Sequence, residues 1–160
     1  MKKIAWFTEG NWTGKVPRAF EGMRNDSAWM CVLNAEHYPI NQIHLVQEKY
    51  DLGIITLPKK GIDQLSKYPL IENLRKCCTS IASMQEGPAN LFEDLALEHQ
   101  IWFCNTLMEM DILYVHNQRD VNYYSGLLNK ECKIMPTLMI EDLIKNLPNE
   151  IGRASCRERV

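Results

Sequence analysis

The chain lacks the long apolar segments found in membrane-spanning and exported proteins. No run in its 160 residues approaches the roughly 20 apolar residues that a membrane span needs. The N-terminal run Ile4-Ala5-Trp6-Phe7 stops at Thr8 and is too short for the core of a signal peptide. We therefore expect a cytoplasmic protein with no membrane span.

Several chemical motifs are also missing. None of the six cysteines forms a C-x-x-C pair, and the adjacent Cys77 and Cys78 would chelate a metal poorly, so we expect reduced thiols and no metal site. The loop after the first apolar run is neither G-x-G-x-x-G nor a Walker loop, because Val16 follows Lys15. A G-x-S-x-G elbow is absent. These absences disfavour ATPase and serine-hydrolase chemistry.

The composition is that of one ordinary globular domain. Hydrophobic residues make up 46% and charged residues 24%, with a formal net charge of −2. This balance excludes a disordered chain and gives no bulk charge for wrapping nucleic acid, although it leaves a local basic patch open.

The last ten residues differ from the rest of the chain. Residues 151–160 are Arg-rich and patternless, and they follow an amphipathic pattern that Pro148 stops. They look like a translated sequencing adapter, although a genuine basic tail is the alternative. We expect an α/β domain over residues 1–147, then the start of a linker and an artefactual tail over 148–160. On this view a C-terminal domain is absent.

Apolar runs alternate with helical patterns along the chain. The predicted strands are Lys3–Phe7, Asp51–Leu57, Thr79–Met84, Asp111–Val115 and the short Lys133–Met135. The predicted helices run from Arg18 to about Asn34, over Ile62–Cys77 with a bend at Pro69, over Asn90–Met108 and over Arg119–Leu128. We expect Phe20, Met23, Ser27, Met30 and Cys31 to share one face of the first helix, and Leu97, Ile101, Cys104 and Met108 to form the inner seam of the third.

This alternation predicts the fold class. Strands that are apolar throughout are typical of a parallel sheet covered on both faces. We therefore expect an α/β, doubly wound (Rossmann-like), mainly parallel sheet in three layers. Ligands of such sheets bind beyond the carboxyl ends of the strands, so the polar residues that follow the strands are the candidate site.

The loop after the first strand supplies one group of candidates. It contains Glu9, Gly10, Asn11, Trp12, Gly14 and Lys15. Glycines let the backbone approach a phosphate or sugar, and a Trp in such a loop often packs on a ligand ring. A purely structural loop is the alternative.

The next strand ends supply the candidate catalytic groups. Gln85-Glu86-Gly87 follows the predicted third strand, and Glu86 could act as a general base or cap the next helix. His116-Asn117 follows the fourth, and His116 could bind sugar or serve only a structural role. Lys59 and Lys60 could pair with phosphate, although two exposed lysines usually form a solvated turn.

Three segments together resemble the N-terminal domain of GT-B fold glycosyltransferases. They are Ile4–Gly14, Gln85–Gly87 and Met110–Asn117 with the helix that follows. The resemblance implies the acceptor-side half of a two-domain enzyme. It also implies a nucleotide-sugar co-substrate bound largely by the absent C-terminal domain, and no cofactor or metal.

Within that fold, the second and third segments are similar to the phage DNA α-glucosyltransferases. There a strand is followed by Gln and a His-Asp-His stretch. Gln85 matches the Gln, whereas Glu86 stands in place of the first His and Gly87 in place of the Asp. The acceptor stays open between DNA, a glycan and a small molecule.

Two other classes compete with sugar transfer. A non-enzymatic flavodoxin-like binding or regulatory domain is the main alternative. A phospho-receiver would need an acidic pair after the first strand, where Glu9 stands alone, and an Asp at the end of the third. A nucleotide-dependent epimerase would need a G-x-x-G-x-x-G loop and a Tyr-x-x-x-Lys pair, which are absent.

Overall fold

The computed structural model describes residues 2–17, 25–85 and 90–138. Its strands are β1 (Ile4–Thr8), β2 (Glu36–Pro39), β3 (Tyr50–Ile55), β4 (Cys78–Met84), β5 (Ile112–Val115) and β6 (Cys132–Ile134). Its helices are α1 (Asn25–Val32), α2 (Ile62–Leu65), α3 (Leu70–Cys77), α4 (Leu97–Glu109) and α5 (Gln118–Leu128), with a 3-10 helix over Ile40–Leu45.

The strands form one six-stranded sheet in the order β2-β1-β3-β4-β5-β6. Every neighbouring pair is parallel. The predicted α/β Rossmann-like fold is therefore confirmed. The order β2-β1-β3-β4-β5 is one of the two common doubly wound arrangements, in which the chain changes direction between β1 and β3.

Apolar side chains cover both faces of the sheet. On one face, Phe7 and Ile81 pack with residues of α3, α4 and α5, including Leu74 and Leu107. On the other face, Trp6, Ile54, Ala82 and Met84 pack with Met30 of α1. Burial on both sides explains why these strands read as continuous apolar runs.

Strand β2 was not predicted. Glu36-His37-Tyr38-Pro39 alternates between half-buried and buried residues and contains only one large apolar side chain. Proline is tolerated in edge strands, where a missing N–H breaks no ladder, and β2 is an edge strand within the described sheet.

The predicted helix Ile62–Cys77 is two helices. Helix α2 ends at Leu65 and α3 begins at Leu70, directly after Pro69. A proline cannot donate the backbone hydrogen bond that a continuous helix needs, so the predicted bend is a break.

The prediction for α4 was wrong in its start and in its inner face. The helix begins at Leu97, and residues 90–95 form turns. Leu97, Ile101 and Met108 are 70%, 52% and 55% exposed, and Cys104 is half-buried, while Phe103 and Leu107 face the core. Because α4 has apolar residues on both sides, periodicity alone does not choose the buried face.

The described part of helix α1 agrees with the prediction from the sequence. Ser27 and Met30 are buried, and Cys31 is half-buried. Asn34 has a φ of 51°, the left-handed conformation that ends helices, as predicted. The predicted start at Arg18, with Phe20 and Met23, lies outside the described residues, as do residues 151–160.

Candidate functional site

A crevice opens at the carboxyl end of the sheet, between β1 and β3. After β1 the chain leads to α1 on one face, and after β3 it leads to α2 and α3 on the other. Chains that diverge in this way leave a gap, which is where doubly wound folds bind ligands. The crevice has a volume of about 380 Å³. A second hollow of about 270 Å³ shares Glu9, Pro58 and Lys60 with it.

The crevice has an apolar floor and a polar rim. Ile40 and Leu65 are each 7% exposed and form part of the floor. The polar lining comes from the segments that follow three different strands: Glu9, Asn41, Lys60, Gln64 and Tyr68. Because β2, β1 and β3 are adjacent, residues far apart in sequence meet here.

Four of these side chains are exposed and available to a ligand. Within the described residues, Glu9, Asn41, Lys60 and Gln64 form no side-chain hydrogen bond or ion pair. Lys59 differs from its neighbour Lys60, because its Nζ donates to Asp94 Oδ2 at 2.6 Å. That bond holds the pKa of Asp94 below its usual range.

The segment after β4 is anchored beside this region. Tyr123 of α5 donates its hydroxyl to Glu93 Oε1 at 2.7 Å. Burial first, and then this hydrogen bond, raise the pKa of Tyr123 to about 12. Together with the Lys59–Asp94 pair, this bond fixes residues 91–95 at the carboxyl end of the sheet.

The glycines of the first loop serve its own folding. A Cβ on Gly10 would lie 2.3 Å from the Trp12 ring, so the indole can pack there only against a glycine. Gly14 has a φ of 96°, and its N–H and C=O both bond to the backbone of His37 at 2.8 Å. The Gly10 N–H donates to Thr8 Oγ1 at 3.0 Å. Both amides that were expected near a phosphate therefore have internal partners.

His37 holds the loop in place. Its Nδ1 donates to the Trp12 carbonyl at 2.8 Å, so Nε2 accepts from Thr8 Oγ1, also at 2.8 Å. The Trp12 ring stacks on His37 with a centroid distance of 3.9 Å. Trp12 therefore packs on a protein ring, where the sequence suggested a ligand ring. Of this loop, Glu9 reaches the crevice, while Asn11 is exposed.

Lys15 lies at the opposite end of the sheet. Its Nζ donates to the Asn34 carbonyl at 2.6 Å, just before β2 begins. It borders a separate hollow with Lys3 and Glu36. The structure does not bring Lys15 together with the other candidates.

His116 stands at the carboxyl end of β5. Its Nδ1 donates to the Met135 carbonyl at 3.0 Å, which leaves Nε2 as an acceptor. The only described neighbour within reach of Nε2 is Asn25 Nδ2, at 3.5 Å. The ring is thus oriented, half-buried, and has a lone pair that is weakly used.

The other two described candidates in this region have structural partners. Gln85 is 3% exposed and donates to Ser83. Asn117 is the N-cap of α5, where its Oδ1 accepts from the Asp120 amide at 3.0 Å. Glu86 and Gly87 lie outside the described residues.

Glu9 and His116 follow strands that are not neighbours in the sheet. Strand order places three interstrand spacings between them, about 14 Å at about 4.8 Å each. The crevice beside Glu9 lies against the α3 side of the core, whereas His116 contacts Asn25 of α1 on the other face. Glu9 and His116 therefore mark two separate places at the carboxyl end of the sheet, and the one beside Glu9 is a crevice.

Asn41, Gln64 and Tyr68 were missed by the sequence reasoning. Asn41 lies in the 3-10 helix after the unpredicted strand β2, and Gln64 lies in α2. Neither belongs to a motif, so only the strand order could have placed them near Glu9.

The described residues contain no group of three or more His, Cys, Asp or Glu side chains arranged to hold a metal ion. In the same part of the chain, no helix has the length and apolar character needed to cross a membrane. Comparison with protein-family models, with curated proteins and with solved structures finds no match to this chain.

Proposed function

We propose that the chain is the acceptor-side part of a two-domain GT-B glycosyltransferase that acts in the cytoplasm. It would take part in transfer of a sugar from a nucleotide-sugar. The resemblance of three segments supports this proposal, and so does the Rossmann-like sheet with candidate groups at its carboxyl end.

His116 is the observation that carries the proposal. A sugar acceptor must lose a hydroxyl proton as it attacks, so an oriented hydrogen-bond acceptor is the group required. The bond from Nδ1 to the Met135 carbonyl fixes the tautomer with a lone pair on Nε2. This nitrogen can accept a hydrogen bond, or the proton itself, from an acceptor hydroxyl. Glu86 remains a second predicted base.

The two-place arrangement also suits a transferase. A transferase binds a donor and an acceptor at once, and its ligands need more room than one pocket offers. The strands that precede Glu9 and His116 lie about 14 Å apart, so each residue can contact a different part of the bound substrates.

The test is turnover by the protein expressed from its complete open reading frame. UDP-glucose and other nucleotide-sugars are supplied with DNA, oligosaccharide or small-molecule acceptors. We expect His116→Ala to reduce turnover by about 100-fold or more, which is the usual scale of general base catalysis. His99→Ala is the matched control, since His99 pairs with Asp63 away from β5. Absence of turnover with every nucleotide-sugar contradicts the proposal.

A non-enzymatic flavodoxin-like domain is the second candidate, and the strand order favours it. The order β2-β1-β3-β4-β5 is that of flavodoxin-like folds, which bind a ligand at the β1/β3 switch point. A phospho-receiver is disfavoured because β3 ends at Ile55 and is followed by Thr56, where a receiver needs an Asp. Saturable quenching of FMN fluorescence by the chain, without nucleotide-sugar turnover, would select this candidate.

A further inference from the structure

We infer that the β1/β3 crevice binds the ring of a neutral saccharide, held by Glu9, Asn41, Lys60 and Gln64. The inference rests on the proposed function only for the role of this sugar, which would be a part of the acceptor remote from the hydroxyl that reacts at His116. The binding itself is argued from the lining of the crevice.

The charge of the lining points to a neutral ligand. Among the described lining residues, Glu9 is the carboxylate and Lys60 the ammonium group, so their charges cancel. A phosphate would be repelled by the negative charge of Glu9, and among the described lining residues Lys60 alone would offset that repulsion. It would also find the Gly10 and Gly14 amides already bonded to Thr8 and His37.

The hydrogen-bonding groups suit a ring that carries hydroxyls around its edge. A carboxylate accepts from two neighbouring hydroxyls, an ammonium donates, and the amides of Asn41 and Gln64 do both. All four side chains are exposed, and within the described residues they have no side-chain bond to give up. A sugar hydroxyl both donates and accepts, so each of these groups finds a partner.

The floor suits the other surface of the same ring. Sugar rings present C–H groups on their faces, and these pack on apolar or aromatic surface. Ile40 and Leu65 form the buried floor, with Pro58 and the half-buried Tyr68 at its sides. The Tyr68 hydroxyl accepts from the His44 backbone N–H at 3.1 Å, which fixes the ring as a wall.

Size limits the ligand. A volume of about 380 Å³ is near the lower end of small-molecule sites. The adjoining hollow of about 270 Å³ can take a second ring, with Glu9 and Lys60 between the two. A nucleobase fits less well, because its two flat faces need stacking partners and Tyr68 is the one aromatic residue in the described lining.

The experiment is a titration of the isotopically labelled 160-residue chain, monitored by NMR. The probes are glucose, galactose, N-acetylglucosamine and maltose, with inorganic phosphate and uridine as competing classes. We expect saturable shifts of the side-chain amide signals of Asn41 and Gln64 with at least one sugar. Shifts there with phosphate or uridine alone, or no saturable shift with any sugar, overturn the inference.

Substitutions of the lining residues test whether the sugar binds in the crevice. Glu9→Gln should weaken sugar binding about tenfold, as expected for loss of a charged hydrogen-bond partner. Gln64→Ala should weaken it several-fold, whereas Gln42→Ala, an exposed amide of the 3-10 helix outside the lining, should leave it unchanged. Melting temperatures check folding, and Asn41→Ala replaces any variant that fails. Unchanged binding in all the lining variants overturns the inference.

Turnover separates the inference from the proposed function. Sugar binding without nucleotide-sugar turnover by the protein from the complete reading frame rejects the transferase, and with it the acceptor role. Turnover without sugar binding in the crevice rejects the saccharide site alone.

Discussion

At the amino end of the sheet, charged and polar side chains are bonded to one another. Asp111 accepts two bonds from Arg75, at 2.6 and 2.8 Å, and a third from the Ile81 amide. Glu36 accepts from the buried Tyr50 at 2.5 Å. Around the crevice at the carboxyl end, several polar and charged side chains are left without such partners in the described chain. They include Glu9, Asn41, Lys60 and Gln64.

The contrast separates polar residues that hold the fold from those available to bind. Side chains that bond internally connect the start of β2 with the start of β3, through Glu36 and Tyr50, and link Asp111, just before β5, to β4. Those around the crevice face solvent and gain partners only from a ligand. Each end should therefore respond differently to substitution.

Substitution of His37 should reduce the stability of the fold most. His37 is an exception to the contrast, because it bonds internally although it contacts the loop at the carboxyl end of the sheet. It is fully buried, and both ring nitrogens are bonded, to Thr8 and Trp12. His37→Ala leaves these groups unpaired and opens a cavity, so we expect a loss of about 3 kcal/mol in the free energy of unfolding. Urea denaturation measures it. A loss below about 1 kcal/mol would show that the loop does not depend on His37.

Tyr50→Phe should cost about 2 kcal/mol, because it removes a buried bond to the charged Glu36. Its hydroxyl also bonds to Tyr38 at 2.6 Å. The matched change at the carboxyl end is Tyr68→Phe, which loses an exposed bond to His44 and should cost less than about 1 kcal/mol. Equal losses in urea denaturation would remove the difference between the two ends.

Asp111→Asn should cost about 1 kcal/mol at neutral pH, since Asp111 and Arg75 are 40% and 39% exposed and solvent weakens their attraction. The Arg75 bond, opposed by burial, lowers the pKa of Asp111 in the folded protein. The stabilisation from this ion pair is therefore fully present above about 3.9, the pKa of an aspartate in the unfolded protein. It is lost as the pH falls through the lower pKa that Asp111 has in the folded protein.

The measurement is urea denaturation of both proteins as a function of pH. The difference between wild type and Asp111→Asn should shrink below about pH 4. A difference that stays constant through this range would mean that the ion pair does not stabilise the fold.

Substitutions in the crevice should have the smallest effects on the free energy of unfolding. Asn41→Ala and Gln64→Ala should each change the free energy of unfolding by less than about 0.5 kcal/mol, because neither side chain has a described partner to lose. Thermal denaturation measures both. A loss above about 1 kcal/mol would give these residues a structural role and weaken the case for a binding site.

The sequence predicted the central elements well because burial on both faces makes a strand apolar throughout. The runs around Phe7, Ile54, Ile81 and Leu113 became β1, β3, β4 and β5. Strand β2 was not predicted because its buried side chains include His37 and Pro39, and an edge strand needs fewer apolar residues.

The candidate site was predicted less completely, because topology assembles it. Glu9 and His116 follow apolar strands and could be chosen from sequence. Asn41 and Gln64 reach the crevice only because β2 and β3 flank β1. Gly10 and Gly14 suggested a ligand contact, but a glycine signal does not say whether the close neighbour is a ligand or the protein's own Trp12.

The bridge between Gly14 and His37 also governs how this chain can associate with others. An edge strand with free N–H and C=O groups can pair with another molecule and start aggregation. On β2 the groups of His37 are used by Gly14, and Pro39 offers no N–H. An incoming strand would have to displace the first loop before it could add to this edge. One loop contact thus also protects the protein against uncontrolled self-assembly through β2.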